Sequence, residues 1–272
     1  LRALDRNAEV IDRASDRAQA KGLDFTATHP TTPDRGRQAL FGARQISAAG
    51  TVEVERTRWL TALNGMIYGE DSGEGYVRGR SFLHPRLGIA FTAPEGFLLE
   101  NTPQAVLGMT PGATEALRFD SARLPPEHSL EAFITENRIE GLALTEVQPL
   151  EVNGLVAATG VARGSDWTFR IFAARTGGQV YRMIMAARAF TPETDQRFME
   201  AFRSFRVLGA AEAARIRPLR LALVVARPGD TMDRLARGMG EIDRPVERFA
   251  VLNGLDRDAA LEPGRAYKTV VD

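Results

Sequence analysis

One histidine and one arginine near the start of the sequence are of the types and spacing that could do chemistry. They lie in the stretch Thr28-His29-Pro30-Thr31-Thr32-Pro33-Asp34-Arg35. Histidine is a base in the neutral pH range, and a guanidinium stabilises anions. The sequence predicts that this base and this guanidinium, His29 and Arg35, are held close together on a defined backbone. A loop of this composition would not need to hold these two side chains close together for packing alone.

The residues around this pair predict how the backbone holds it. Thr32 suits a helix N-cap, Pro33 fits the first helical position because its missing N–H costs nothing there, and Asp34 places an anion at the positive end of the helix dipole. His29 would then lie in the loop before the helix and Arg35 in its first turn. Apolar residues at helical spacing before and after this stretch predict that residues 1–68 are helical.

The Thr-His-Pro stretch with its downstream Arg resembles the end of the catalytic domain in HtpX/BepA-like zinc metallopeptidases. The runs 62–69 and 82–85 resemble the C-terminal extension of envelope-located bacterial members. In that family an HExxH helix and a downstream Glu hold the zinc, and this sequence has no HExxH. The resemblance therefore implies the C-terminal accessory region of a zinc-dependent endopeptidase. Zinc would be the cofactor of the parent protein, and none is expected in this fragment.

The resemblance also implies roles for the pair. His29 would face the zinc site as an extra ligand or a gate, and Arg35 would stabilise the anionic tetrahedral intermediate of peptide hydrolysis. The structural alternative is that His29 caps a backbone carbonyl and Arg35 pairs with a carboxylate. In this fragment the structural alternative must hold, because the metal-binding half is missing. We expect the fragment alone to be inactive.

From Phe82 onward the apolar spacing changes from a helical period to a period of two. Strand-like runs follow between residues 88 and 187, separated by turn residues such as Gly177-Gly178. Helices are predicted to begin at Ser129 and Thr191, and both are expected to cover one face of an antiparallel sheet. The predicted class is α+β, and this part resembles a PsbP-type α/β sandwich.

The chain ends in a small unit with the predicted order strand, helix, helix, strand. The turn 228–231, the Asn-Gly-Leu at 253–255 and the Leu-x-Pro-Gly at 261–264 resemble a LysM module. LysM modules commonly bind N-acetylglucosamine-containing glycans such as peptidoglycan. The resemblance places these residues at the groove: Gly229, Asp230, Thr231, Met232, Asn253, Gly254 and Leu255. A purely structural cap is the alternative, because the predicted groove has no aromatic residue to stack on a sugar.

The predicted organisation follows from these segments. Residues 1–68 are the helical end of the peptidase domain, 69–81 a linker, 82–209 the α/β sandwich, 210–218 a second linker, and 219–272 the LysM-like module. The glycine- and acid-rich start of the first linker has neither the spacing of a calcium loop nor that of a phosphate-binding loop.

Composition excludes several classes of function. The 35 basic and 35 acidic residues give a formal net charge of zero, which offers no electrostatic case for nucleic acid. The lack of cysteine excludes disulfides, thiolate nucleophiles and Cys-ligated metals. The sequence contains no run of about 18 apolar residues, so it predicts no membrane-spanning helix.

The remaining histidines and the tryptophans are predicted to be structural. His29, His84 and His128 are too far apart in sequence to form a local metal-ligand pair. We expect His84 and His128 to lie on the surface, and Trp59 and Trp167 to anchor cores.

These interpretations place the parent protein in the bacterial periplasm or membrane-associated cell envelope. Its expected partners are envelope protein substrates and peptidoglycan. Because the chain begins without Met in a helical pattern, a targeting segment could have been lost with the missing half. The alternative is a non-catalytic envelope-binding or scaffold protein, in which the helical part serves dimerisation or docking. A third possibility is that the sandwich binds a small ligand.

Overall fold

A computed structural model of the chain describes residues 52–136, 139, 142–240, 242, 244–256 and 258–272. These residues form two compact units. The large unit is Glu70–Arg217, and in the small unit residues 52–69 join Pro218–Asp272. The predicted helices around His29 and Arg35 lie outside the described residues. The predicted class, α+β with a large antiparallel sheet and a few helices, is confirmed.

The described helices are few and mostly short. They are α1 (Val52–Leu63), α2 (Leu130–Glu136), α3 (Pro192–Arg203), α4 (Ala210–Ala213), α5 (Met232–Ala236) and α6 (Pro245–Asn253).

The described residues form thirteen strands. They are β1 (Tyr76–Arg78), β2 (Ser81–His84), β3 (Ile89–Thr92), β4 (Leu98–Asn101), β5 (Val106–Met109), β6 (Glu115–Arg123), β7 (Leu144–Val152), β8 (Leu155–Arg163), β9 (Thr168–Thr176), β10 (Gln179–Ala187), β11 (Arg206–Val207), β12 (Arg220–Val225) and β13 (Ala266–Val271).

The large unit is built on a seven-stranded antiparallel sheet in the order β4-β5-β6-β10-β9-β8-β7. Its hairpins turn at residues that tolerate positive φ. Asn153 and Gly154 join β7 to β8 with φ of 50° and 78°, and Gly177 and Gly178 join β9 to β10 with φ of 58° and 74°. A second, four-stranded sheet has the order β1-β2-β3-β11.

Helix α3 begins as its sequence predicts. Thr191 is the N-cap, and its Oγ1 accepts a hydrogen bond from the Thr194 N–H at 3.2 Å. The helix buries Phe198 and Phe202 in the main core, where the ring of Phe202 stacks on that of Phe172 at 4.3 Å. This apolar face packs α3 onto the sheet.

The two longer helices of the large unit cover opposite faces of the sheet, so the prediction of one shared face was wrong. On β9, Phe172 and Ala174 belong to the apolar cluster that contains α3, whereas Ile171 and Ala173 belong to the cluster that contains α2. Successive side chains of a strand point to opposite faces. Because β9 is apolar on both faces, each face needs its own cover.

The small unit pairs β12 with β13 antiparallel and encloses its own core. The Gly65 N–H donates to the carbonyl of Leu221 at 2.7 Å, and the Tyr68 N–H donates to that of Leu219 at 2.7 Å. Leu60 of α1 is 3% exposed. Residues 52–69 thus belong with the C-terminal unit, whereas the sequence assigned residues 52–68 to a separate helical domain and Gly69 to a linker.

The predicted linker 69–81 is partly folded. It contains β1 and the start of β2, and the Val77 N–H donates to Glu70 Oε2 at 2.7 Å. The Asn101 amide donates to the carbonyls of Glu74 and Gly75 at 3.0 and 3.2 Å. These hydrogen bonds fix the acid-rich turn to the large unit, which is why it does not behave as a plain linker.

Two predictions of exposure were wrong. His84 is 6% exposed, because it packs under the ring of Phe82 in a T-shaped contact. Trp59 is 52% exposed and does not anchor a core. Trp167 is partly buried, with the Arg188 guanidinium 4.9 Å from its ring centroid.

Candidate functional site

The predicted site residues fall into two groups. His29 and Arg35, assigned to the rim of a peptidase active site, lie outside the described residues. The seven residues assigned to a glycan groove lie in two turns of the small unit or in the helix ends next to them. One turn joins β12 to α5, and the other follows α6.

The first turn is held by side chains that the sequence assigned to sugar binding. Asp230 Oδ2 accepts a hydrogen bond from the Arg227 N–H at 2.7 Å, and only 6% of the Asp230 side chain is exposed. Thr231 is the N-cap of α5, since its Oγ1 accepts from the Arg234 N–H at 3.2 Å. Met232 is buried below them. These side chains shape the turn from inside.

The second turn closes α6 through its backbone. Gly254 has φ of 67°, in the left-handed region. Its N–H donates to the Val251 carbonyl at 3.1 Å, and the Leu255 N–H donates to the Ala250 carbonyl at 2.9 Å. This pair of hydrogen bonds is the Schellman motif, which needs a residue that tolerates positive φ.

Asn253 joins α6 to β13. Its Nδ2 donates to the carbonyls of Phe249 and Lys268 at 3.0 and 2.8 Å, and its Oδ1 accepts from the Lys268 N–H at 2.7 Å. The side-chain amide is therefore engaged within the fold.

The groups that the two turns offer to a ligand are mainly backbone groups. Met232 and Leu255 belong to the same apolar cluster, so both turns rest on one small core. Gly229 and Gly254 are exposed, and a Cβ at either position would meet no atom within 4 Å. The acetamido group of an N-acetylated sugar carries one donor and one acceptor, which peptide groups that the fold leaves open can match. The Gly254 N–H is not among them, because it donates to Val251.

Sequence reasoning missed a second polar surface on the small unit. Lys268 Nζ lies 4.8 Å from the ring centroid of Trp59, and Arg56 Nη2 donates to the Ala266 carbonyl at 3.1 Å. Burial, and secondarily the nearby Arg56, lower the pKa of Lys268 below its ordinary value. The signal available in the sequence was a tryptophan that follows the polar residues Arg56, Thr57 and Arg58.

Zinc, which the resemblance implies, has no set of ligands in the described part of the chain. There, no three His, Asp or Glu side chains come close enough to hold a metal ion. His84 is enclosed, and His128 Nε2 faces Glu136 at 3.0 Å. The described residues do not fit a zinc site, and we assign no step of peptide hydrolysis to them.

Within the same residues, none of the helices has both the length and the hydropathy needed to cross a membrane.

No protein-family model and no curated protein matches the chain. Among solved structures, it is similar to a protein of Bacteroides thetaiotaomicron VPI-5482, with a TM-score of 0.37 and 12% identity. That match covers 56% of this chain and 55% of the other, so it spans about half of that protein. The chain is also similar to CyanoP, the PsbP of Synechocystis sp. PCC 6803, with a TM-score of 0.35 and 13% identity over 60% of this chain and 99% of CyanoP. Both TM-scores are below 0.5, and the function is therefore inferred below from the chain's own residues.

Proposed function

We propose that this chain is the accessory region of a zinc-dependent endopeptidase of the bacterial cell envelope, and that its small unit binds N-acetylated glycan of the peptidoglycan type. In this account the parent protein hydrolyses peptide bonds, and the chain itself recruits or orients the parent. The chain performs no chemistry on its own.

The observation that carries the glycan-binding role is the pair of open glycine turns on a small core of their own. Asp230, Thr231 and Asn253 fix the turns by hydrogen bonds, so the backbone at Gly229 and Gly254 is held in place before a ligand arrives. A preorganised site loses less conformational entropy on binding. The unit can therefore present peptide groups to a sugar without an aromatic platform in these turns.

The peptidase assignment rests on sequence alone. Its support is the stretch 28–35 with His29 and Arg35, and the runs 62–69 and 82–85. The non-catalytic scaffold remains the competing proposal, and it shares the glycan-binding role of the small unit.

Co-sedimentation with insoluble peptidoglycan tests the glycan-binding role. We expect the chain to sediment with the polymer and to be released by soluble N-acetylglucosamine oligomers, because these would occupy the same turns. Maltose oligomers of equal length are the control, since they lack the acetamido group. A chain that stays in the supernatant, or that maltose releases equally well, would contradict the proposal.

A further inference from the structure

Packing in a core does not explain the position of Trp59. Tryptophan is highly buried on average, yet half of this side chain is open to solvent. Its ring is in contact with the ammonium of Lys268, at 4.8 Å from the centroid. A flat, exposed indole beside a cation is a surface on which the C–H groups of a sugar ring can stack.

The charges beside this indole favour an anion. Arg56 precedes Trp59 by one turn of α1, and a hydrogen bond to the Ala266 carbonyl holds its guanidinium. Among the side chains that the structure describes from Arg56 onward, no ion pair joins a carboxylate to Arg56 or Lys268, and the one acid lining the adjacent groove, Glu262, pairs with Arg265. Repulsion from Arg56 contributes to the lowered pKa of Lys268. An anionic group between the two cations would relieve that repulsion.

A groove next to Arg56 provides room. It has a volume of 460 Å³ and lies between α1 and the strands β12 and β13. Its lining includes the apolar residues Leu60 and Leu223 and the polar residues Thr57, Thr61 and Arg265. This volume is within the range of small-molecule sites. Arg56 lines the groove and also acts on Lys268, so this one residue links the groove to the Trp59 surface. The two together are called the strip below.

We infer that this strip, defined by Trp59, Arg56, Lys268 and the groove, binds a sugar that carries a carboxylate. The carboxylate lies between the guanidinium and the ammonium, and the sugar ring lies against the indole. The inference builds on the proposed glycan-binding function and adds a second contact with its own specificity. N-acetylmuramic acid has this chemistry, since it is N-acetylglucosamine with an added lactyl ether.

The strip is separable from the two glycine turns. Side chains alternate along β13, and Tyr267 lies in the core with Phe249, whereas the side chain of its neighbour Lys268 contacts Trp59 of α1. Lys268 bonds to Asn253 only through its backbone. A change at Lys268 therefore alters the strip and leaves Gly229 and Gly254 as they are.

Fluorescence of Trp59 gives a direct test. In the full chain carrying Trp167→Phe, Trp59 is the remaining tryptophan. We expect N-acetylmuramic acid to change its emission saturably, and N-acetylglucosamine to need about 10-fold or more higher concentration. Lys268→Gln in this background should weaken the response to N-acetylmuramic acid by about 10-fold or more, because it removes a charge-assisted contact. The matched control Arg58→Gln, at an exposed position of α1, should leave the titration unchanged.

Each other outcome overturns the inference. An equal response to both sugars would show that the carboxylate plays no part in binding. No response to either sugar would show that the strip is not a binding site for them. A response to sodium lactate alone at the same concentration reduces the site to one for small carboxylates. If the fluorescence titration succeeds while co-sedimentation fails, the binding site at the strip is supported and glycan binding by the glycine turns is contradicted. If co-sedimentation succeeds while the titration fails, the glycine turns are supported and the strip is contradicted.

Discussion

At the residue scale, His84 shows how burial sets a protonation state. Its Nδ1 accepts a hydrogen bond from the Leu87 N–H at 3.2 Å, and its ring packs against the Gly75 turn, where a Cβ would come within 3.1 Å of it. Burial lowers the pKa of His84, because the imidazolium would lose its hydration. The imidazole is therefore neutral in the folded protein near pH 7.

This predicts a pH dependence of stability with a defined sign. In the unfolded chain His84 regains its ordinary pKa of about 6.5, so the unfolded state binds the proton first as the pH falls. The free energy of unfolding should fall between that pH and the lower pKa of the folded state, by less than about 1.4 kcal/mol per pH unit. Above pH 7 this contribution should be constant.

The measurement is urea unfolding from pH 5 to 8 for the natural chain and for His84→Asn, whose side-chain oxygen can still accept from Leu87. The variant loses stability at every pH because packing is lost, but its pH dependence in this window should be shallower. Burial raises the pKa of Glu70, and this effect cancels because both chains share it. Parallel pH profiles would contradict the neutral, buried imidazole.

Some residue roles could be predicted from the sequence and others could not. The helix-capping role of Thr191 follows from its position before Pro192, because capping is a local property. The burial of His84 and the exposure of Trp59 could not be predicted, because they depend on distant segments such as the Gly75 turn and β13.

At the element scale, close contact between β5 and its neighbours depends on Gly108. A Cβ at this position would lie 2.9 Å from Leu99 Cδ2 and 3.2 Å from both Leu117 Cβ and Phe97 Cδ1. Two of these neighbours, Phe97 and Leu117, are themselves buried in the main core. The strand has little room for even one methyl group.

We therefore expect Gly108→Ala to lower the free energy of unfolding by about 1–3 kcal/mol, because the added methyl overpacks the core. Gly209→Ala is the matched control, since a Cβ there meets no atom within 4 Å and φ is −66°. It should change stability by less than about 0.5 kcal/mol. Urea unfolding at pH 7.5 checks both, and equal effects of the two changes would contradict the close packing described for β5.

Most elements of the large sheet could be predicted because their signals are local. The alternating run at Gln179–Ala187 predicts a strand with the bounds that β10 has. The short strands β1, β4 and β11 were missed, since runs of two to four residues give little periodic signal. The face covered by α2 was mispredicted, because the sequence of β9 does not tell which of its two apolar faces each helix covers.

At the scale of the whole molecule, local sequence gave no sign that residues 52–69 join Pro218–Asp272. The union depends on backbone hydrogen bonds between segments far apart in sequence, such as that from the Leu221 N–H to the Met66 carbonyl at 2.8 Å. The turns around Gly229 and Gly254 could be found from their residue types. The sequence did not show that the side chains of Asp230 and Asn253 make hydrogen bonds within the fold at these turns; the structure shows it.

The peptidase proposal makes a prediction for the parent protein. Casein hydrolysis by the zinc-loaded full-length protein should stop when a chelator is added. His29→Ala should lower the rate by about 10-fold or more, as expected for a group next to a metal site. His128→Ala is the matched control, because His128 lies in the large unit and is partly exposed, and it should leave the rate unchanged. No cleavage by the folded, zinc-loaded protein would favour the scaffold proposal.

Calorimetric titration of the chain with an N-acetylglucosamine tetramer tests most directly whether the glycine turns of the small unit bind N-acetylated glycan. Gly229→Asn adds a side chain over the first turn while tolerating its φ of 84°, and Gly177→Asn makes the same change in the β9–β10 hairpin at φ of 58°. We predict binding by the natural chain and by Gly177→Asn, and affinity about 10-fold or more weaker for Gly229→Asn, equivalent to about 1.4 kcal/mol. Equal affinity of the two variants, or no binding by the natural chain, would contradict the account.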